Sequence, residues 1–252
     1  MSIKEISVVI IAKNAQETIQ DTLESLREFG EVLLYLNESS DRTKEIAMNY
    51  QNVVVIEGAF IGFGPTKDHA ATFAKYDWIL SLDSDEILTE ELVEEINALP
   101  FQTRNEIYKL TRDNYFLGHR TQSRDTIVRL YHRGYTHFNE NMVHEKIIIP
   151  PDAIVHTLKH RFIHLNITNI NQTLTKMIQY TDLGAEGKKS CFFGTVIAKS
   201  IFAFFKTYIL EGNIIRGWVG FALAINFANR RYYKYIKQYI NCQNEKGKLS
   251  SK

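Results

Sequence analysis

The sequence predicts an α/β fold, with a mostly parallel central sheet covered by helices and a helical tail behind it. Three observations predict it. From Ile6 to Leu82, β-branched apolar runs of strand length alternate with segments of helical spacing, the pattern of parallel strands joined by helical crossovers. The fourth run, Trp78-Ile79-Leu80-Ser81, ends abruptly in Leu82-Asp83-Ser84-Asp85-Glu86, as a buried strand does when it delivers carboxylates to a sheet's edge. Charge then divides the chain: residues 187–252 hold 12 Lys/Arg against 2 acidic residues, although the whole carries a formal net charge of only +1.

Ile6 to Ala12 is a β-branched run of buried-strand length; Lys13-Asn14 follow as a loop, and Ile19, Leu23 and Leu26 carry helical spacing. Glu31 to Leu36 makes a second strand. The polar loop Asn37-Glu38-Ser39-Ser40-Asp41 then offers Ser and Asp side chains suited to the start of a helix over Arg42 to Tyr50. Val53 to Ile56 is a third strand, Gly58 to Pro65 a Gly-rich loop, Thr66 to Lys75 a helix and Trp78 to Leu82 the fourth strand. A helix is expected from Thr89 to Leu99. Ile107 to Leu110 and Thr126 to Leu130 alternate with period two, a His-rich section follows Pro150-Pro151, and beyond Asn169 helical spacing dominates to Tyr239. The expected division is a domain over 1–168 and a helical, basic and aromatic region over 169–252.

A length of 252 residues suits one large α/β domain with an appendage, and 44% hydrophobic with 23% charged residues excludes disordered and collagen-like classes. The two cysteines, Cys191 and Cys242, have no metal-type spacing and indicate neither a disulfide framework nor a zinc site, so a reducing compartment is expected. The N-terminus runs straight into a strand pattern and lacks the features of a secretory signal. The longest uncharged apolar run of the tail, Gly217 to Asn229, has 13 residues against the roughly 18 of a membrane span, and no crossing is expected.

Ligands of open α/β sheets sit beyond the carboxyl ends of the strands, where Asn14, Asn37 to Asp41 and Asp83 to Asp85 would converge. Two acids one residue apart suit a hard divalent cation, Mg²⁺ or Mn²⁺, whose shell is completed by phosphate oxygens; that points to a nucleoside diphosphate. The alternative is that one acid caps the helix at Thr89. The loop Gly58 to Pro65 lacks Gly-Lys-Ser/Thr and is not a Walker loop, and the eight histidines fit no closed zinc site.

Val8-Val9-Ile10-Ile11-Ala12-Lys13-Asn14, the loop Ser39-Ser40-Asp41-Arg42-Thr43, Leu82-Asp83-Ser84-Asp85-Glu86 and Val143-His144-Glu145 together resemble the family-2 glycosyltransferases. More narrowly the chain is similar to the branch that adds glucose to heptose in the lipopolysaccharide inner core, a β-1,4-glucosyltransferase. Arg129-Leu130-Tyr131, His164, the Lys176 to Tyr180 helix and the Gly212 to Gly220 stretch carry the likeness further. Asn37 stands where the family commonly has an acid, Arg42 where it has Gly, and Asp68 where it often has Asn. An amide at Asn37 can still bond a uracil edge or a ribose hydroxyl.

The resemblance implies a GT-A-type nucleotide-sugar-binding domain. It implies that Ala12, Asn14 and Asn37 lie near uridine with Lys67 nearby, that Asp83 meets ribose or metal-bound water, and that Asp85 ligates the metal, joined by His164. Glu145 is implied as general base of an inverting transfer, with Glu140 and Asp113 as alternatives, and Arg129 as a contact for diphosphate or acceptor. Bottom-up, other readings stand beside these: Lys67 as a solvated surface lysine, Glu145 as a salt-bridging strand-edge residue, His164 as a hydrogen-bonded histidine packed near Phe162, and Arg129 as a structural ion pair.

The expected donor is UDP-glucose and the expected acceptor a lipid-linked saccharide such as a lipopolysaccharide heptose. Transfer to polyprenyl phosphate or a capsule precursor, or a non-catalytic sugar-nucleotide-binding module, are the alternatives. The tail mixes aromatic and aliphatic faces with Lys/Arg, which suits an anionic membrane surface as well as packing on the catalytic domain. The expected location is cytoplasmic, peripheral on the inner face of the cytoplasmic membrane. No nucleic-acid partner is expected.

Overall fold

β1 (Ile6–Ala12) is buried along its whole length, which explains why its sequence is a continuous apolar run rather than an alternation. It pairs in parallel with β2 (Glu31–Leu36) on one side and β4 (Trp78–Asp83) on the other, and β2 pairs in parallel with β3 (Val53–Glu57). Helices cover both faces. Val8 and Ile10 pack with Ile19, Leu23 and Leu26 from the α1 (Ile19–Glu24) side, while Val9 and Ile11 pack with Ala70, Ala71 and Ala74 from the α3 (Phe63–Thr72) side. The computed structural model describes residues 2–140 and 145–247. Val143 and His144 of the Val-His-Glu motif lie outside the described residues.

Among the described residues the sheet has eight strands: with β5 (Glu86–Leu88), β6 (Glu106–Phe116), β7 (His119–His132) and β8 (Ile154–Ile167) the order is β3-β2-β1-β4-β7-β6-β8-β5. Beyond the parallel quartet, β4 pairs antiparallel with β7, and the short β5 pairs antiparallel with β8. β6 turns into β7 at Leu117-Gly118, both with positive φ, as a two-residue hairpin loop of the primed kind requires. The His-rich section is therefore a strand. Along β8, Leu158, Phe162 and His164 are the buried positions, so the even-numbered residues share the inward face.

Helix boundaries differ from the sequence reading in one instructive place. The Gly58 to Pro65 segment was expected to be loop throughout, yet α3 begins at Phe63 behind Gly62, whose φ of 110° is open to glycine. Pro65 fits because the first helical turn has no N–H to lose. α2 (Thr43–Ala47) and α4 (Glu90–Asn97) lie within their expected ranges.

By proximity along the backbone the chain forms two units, Met1–Asn114 with Ser123–Leu165, and Tyr115–Gln122 with Asn166–Lys252. The second consists of the β6–β7 tip, α5 (Ile170–Ala185), α6 (Phe193–Phe205), a π-helical continuation Lys206–Leu210, a 3₁₀ turn Asn213–Arg216 and α7 (Gly217–Glu245). Phe116, Val219 and Leu223 form its buried cluster, and Gln238 Nε2 donates to the Gly184 carbonyl at 2.9 Å to tie α7 to α5.

Two expectations are corrected here. Cys191 and Cys242 are joined in a disulfide, with Cα atoms 5.4 Å apart, because α7 folds back to bring its end to the segment before α6. Separation in sequence carried no information about that approach, and the expectation of a reducing compartment, which rested on unpaired cysteines, loses its basis. The second correction concerns length: Phe193–Leu210 forms an 18-residue helical stretch long and apolar enough, by composition, to cross a membrane. Lys199 and Lys206 interrupt the apolar run in sequence but not the helix.

Candidate functional site

Parallel pairing brings the ends of β1, β2 and β4 to one edge, with Asp83 opposite Ile11 and Ala12 opposite Leu36. The loops that leave this edge are bound to one another. Asn14, in the left-handed region at φ 52°, donates its N–H to Ser39 Oγ at 3.0 Å and accepts from the Ser40 N–H through Oδ1 at 2.8 Å. Asp41 Oδ2 accepts from the Gln16 N–H, and its Oδ1 accepts from the Thr43 hydroxyl and N–H at the start of α2. Asn37 is buried, and its N–H donates to the Ala12 carbonyl at 3.0 Å. Ala12, Asn14 and Asn37 are thus neighbours.

A second constellation is centred on Lys67. Its side chain is 2% exposed, which removes the surface-lysine reading, and Nζ donates to Asp83 Oδ1 at 2.8 Å and to Glu145 Oε1 at 2.9 Å. The Phe138 ring lies 5.4 Å from the ammonium. Burial alone would lower the Lys67 pKa, but the charge of Asp83, with Glu145, outweighs it and holds the group above its ordinary value. Burial likewise pushes Asp83 up, yet Lys67 and Arg129 hold its carboxyl well below the usual range. A third of the Asp83 side chain still meets solvent, at 34%, so part of that field is screened.

Arg129 adopts the ion-pair alternative. It is buried on β7, with Nη2 2.9 Å from Asp83 Oδ2 and in contact with Glu86 Oε1, while its Nε has no hydrogen-bond partner among the described residues. Its guanidinium is committed to these acids. Glu86, 0% exposed, also accepts from the Asp83 N–H at 3.0 Å and lies 3.5 Å from Arg112. Acids and cations therefore alternate behind the strand end, in the series Glu145, Lys67, Asp83, Arg129, Glu86, Arg112 and Asp125.

Asp85 faces elsewhere. Its Oδ1 is 3.6 Å from His164 Nε2, and His164 Nδ1 is 2.7 Å from Asn114 Oδ1. A carboxamide oxygen against Nδ1 suits the tautomer that carries its proton there and leaves Nε2 free to act as a ligand. The Ser84-Asp85 turn is pinned from both sides: the Ser84 carbonyl accepts from the Thr22 hydroxyl at 3.1 Å, and the Asp85 carbonyl from the Leu165 N–H at 2.8 Å. Neither acid caps α4, where Thr89 does so by accepting from the Leu92 N–H. Among the described residues no three His, Cys, Asp or Glu gather into a closed metal site. One carboxylate and one imidazole lone pair do fit a divalent ion that completes its shell with phosphate oxygens and water.

Sequence reasoning missed Glu86, Asn114 and Arg112 as parts of this site. Arg112 and Asn114 stand two apart on β6 and so share a face, and both bond Asp125 Oδ2 on β7, at 3.1 Å each. That alternation was the available signal. Asp68, the departure from the family's common Asn, accepts from the Phe138 N–H at 2.9 Å and so braces the residue whose ring lies by Lys67.

Residues 7–157 match the family model described as glycosyl transferase family 2. The chain belongs to that family. This family 2 glycosyltransferase has a GT-A-type nucleotide-sugar-binding fold. It is 28% identical over 254 residues to a Rickettsia bellii protein described as an uncharacterized glycosyltransferase, covering 93% of this chain and 86% of that one. A Rickettsia conorii protein of the same description is 27% identical, with 93% and 89% covered. Among solved structures, S. aureus TarS 1-349 in complex with UDP-GlcNAc aligns at 13% identity with a TM-score of 0.47, covering 98% of this chain and 93% of that one.

Proposed function

We propose that this glycosyltransferase moves a hexose, glucose from UDP-glucose, onto a core sugar of a lipid-linked saccharide such as lipopolysaccharide heptose, with inversion at the anomeric carbon. The observation that carries the reading is the Lys67 bridge between Asp83, at the end of β4, and Glu145. It unites the strand-end acid with a carboxylate suited to act as base.

In this reading the acceptor hydroxyl oxygen attacks the anomeric carbon while its proton passes to Glu145, and the bond from that carbon to the diphosphate oxygen breaks on the opposite face. Lys67 holds one Glu145 oxygen, so the proton goes to the other. No covalent enzyme intermediate forms. Ala12, Asn14 and Asn37 receive the uridine, with the Asn37 amide at the base or ribose. Asp85 and His164 are the residues that would hold Mg²⁺ or Mn²⁺, whose chemistry when bound is to neutralise diphosphate charge. Arg129 acts through Asp83, keeping it ionised. The basic, aromatic tail docks on an anionic membrane surface, where a lipid-anchored acceptor is met.

A thermal-shift panel of nucleotide sugars with and without Mn²⁺, followed by transfer to delipidated core saccharide read by mass spectrometry, tests this. UDP-glucose should stabilise the protein and yield a product heavier by one hexose. Nucleotide binding without transfer to any saccharide acceptor would leave a binding module and refute the enzyme reading.

A further inference from the structure

The connection between α6 and α7 inverts the usual rule for turns. Loop tips are ordinarily polar, whereas here Leu210 is 74% exposed, Ile215 82% and Trp218 66%. The exposure is built, not loose. Gly212 and Gly217, at φ 68° and 59°, bracket the 3₁₀ turn Asn213–Arg216. Asn213 is buried inside it, with Nδ2 donating to the Thr207 carbonyl at 2.8 Å, and Arg216 donates to the Arg120 carbonyl. α7 approaches so closely that a Cβ at Gly220 would lie 1.8 Å from the Asn213 carbonyl oxygen. Polar groups anchor the turn inward, and its isoleucines are held out.

The same surface continues along α6. Phe193, Ile197, Ile201, Phe205 and Ile209 recur every four residues, and all five are exposed. Lys199 and Lys206, seven apart, share the side of the helix turned away from this stripe. Were Phe193–Leu210 to cross a bilayer, both ammonium groups would enter hydrocarbon, at high cost. Lying in the interface, the same lysines snorkel to the headgroups while the stripe faces the acyl chains. Charge selects the occupant, since residues 187–252 hold 12 Lys/Arg against 2 acidic residues, one of which, Glu211, lies in the turn 3.5 Å from Lys206.

We propose that the α6–α7 turn, through Ile214, Ile215 and Trp218, is a wedge that enters the headgroup layer of an anionic bilayer, with α6 in the interface plane rather than across it. This deepens the membrane docking offered above and rests on it.

The test uses the full chain with vesicles of phosphatidylcholine alone or mixed with phosphatidylglycerol. Flotation should require the anionic lipid, and lipids brominated near the headgroup should quench tryptophan emission. Trp78 is buried, so Trp218→Phe should float yet lose the quenching. Ile215→Glu should lower partitioning at least ~10-fold, while circular dichroism and sedimentation mass stay unchanged. Flotation with no quenching of Trp218 would overturn the wedge and leave docking by another face. Quenching only by lipids brominated deep in the acyl chains would overturn the in-plane arrangement in favour of a span. Absence of flotation on anionic vesicles would remove docking altogether, and a change of sedimentation mass in Ile215→Glu would reassign the surface to a second copy of the chain.

Discussion

The Lys67 ammonium lies 2.9 Å from the Glu145 carboxylate, joining a helix in the parallel half of the sheet to a residue 78 positions away. The same nitrogen reaches Asp83, so one buried cation sets the separation of the two acids on which the proposed chemistry depends. Lys67→Met leaves both carboxylates without it. Stability should fall by about 3 kcal/mol, read by urea unfolding, and transfer should fall further than the folded fraction explains. Lys67→Arg, which retains charge in a different shape, should recover stability better than turnover.

Asp85 and His164 have no comparable structural burden. Asp85→Ala should leave stability within about 0.5 kcal/mol but abolish the Mn²⁺-dependent part of the UDP-glucose thermal shift. Transfer should drop at least ~100-fold. Asn114→Leu, which frees the His164 ring, should weaken Mn²⁺ dependence less severely than His164→Ala.

Acid should act on the Lys67 constellation through Asp83. Its folded pKa lies well below the ordinary 3.8, so in the window between the two values the unfolded chain binds the additional proton and stability rises with pH. The contribution is complete above the ordinary value and disappears as pH falls through the depressed one. Asp83→Asn should therefore be less stable than the parent at neutral pH, with the gap closing below about pH 4. Denaturant titrations from pH 2 to 7 provide the comparison. Lys67 works with the opposite sign: its contribution is complete below its ordinary 10.5 and is lost only as pH rises through the raised value.

Gly64→Ala should be a case where helix propensity misleads. Alanine normally favours a helix by about 1 kcal/mol over glycine, but at this position a Cβ would lie 2.2 Å from the Asn139 carbonyl oxygen and 3.4 Å from the Glu145 Cβ. The segment carrying Glu145 has to shift. Turnover should fall more than thermal stability, and UDP binding by calorimetry should be retained.

Reduction of the Cys191–Cys242 bridge should loosen the helical tail. With a sequence separation of 51 residues, loop-closure entropy puts the bridge's contribution at about 4 kcal/mol. Cys191→Ser or a phosphine reductant should lower the unfolding midpoint of the tail's tyrosine signal. An unchanged midpoint would mean that α5, α6 and α7 hold together by packing alone.

Much of the fold was legible because period and length are local. A strand buried on both faces must be apolar throughout, as Ile6 to Ala12 is, and a helix on its face must repeat near every fourth residue, as Ile19, Leu23 and Leu26 do. Those rules located β1 to β4, the acids at the end of β4 and the helical, basic character of the tail before any coordinates. Tertiary structure alone decided what the side chains meet. It made Lys67 a buried bridge, turned Arg129 inward to Asp83 and Glu86, drew Asn114 onto His164, closed the disulfide and held Ile215 out on a structured turn. The reason is physical: hydrophobic patterning specifies which face of an element is buried, but which charges and thiols meet depends on crossovers that join residues from 16 to 78 positions apart.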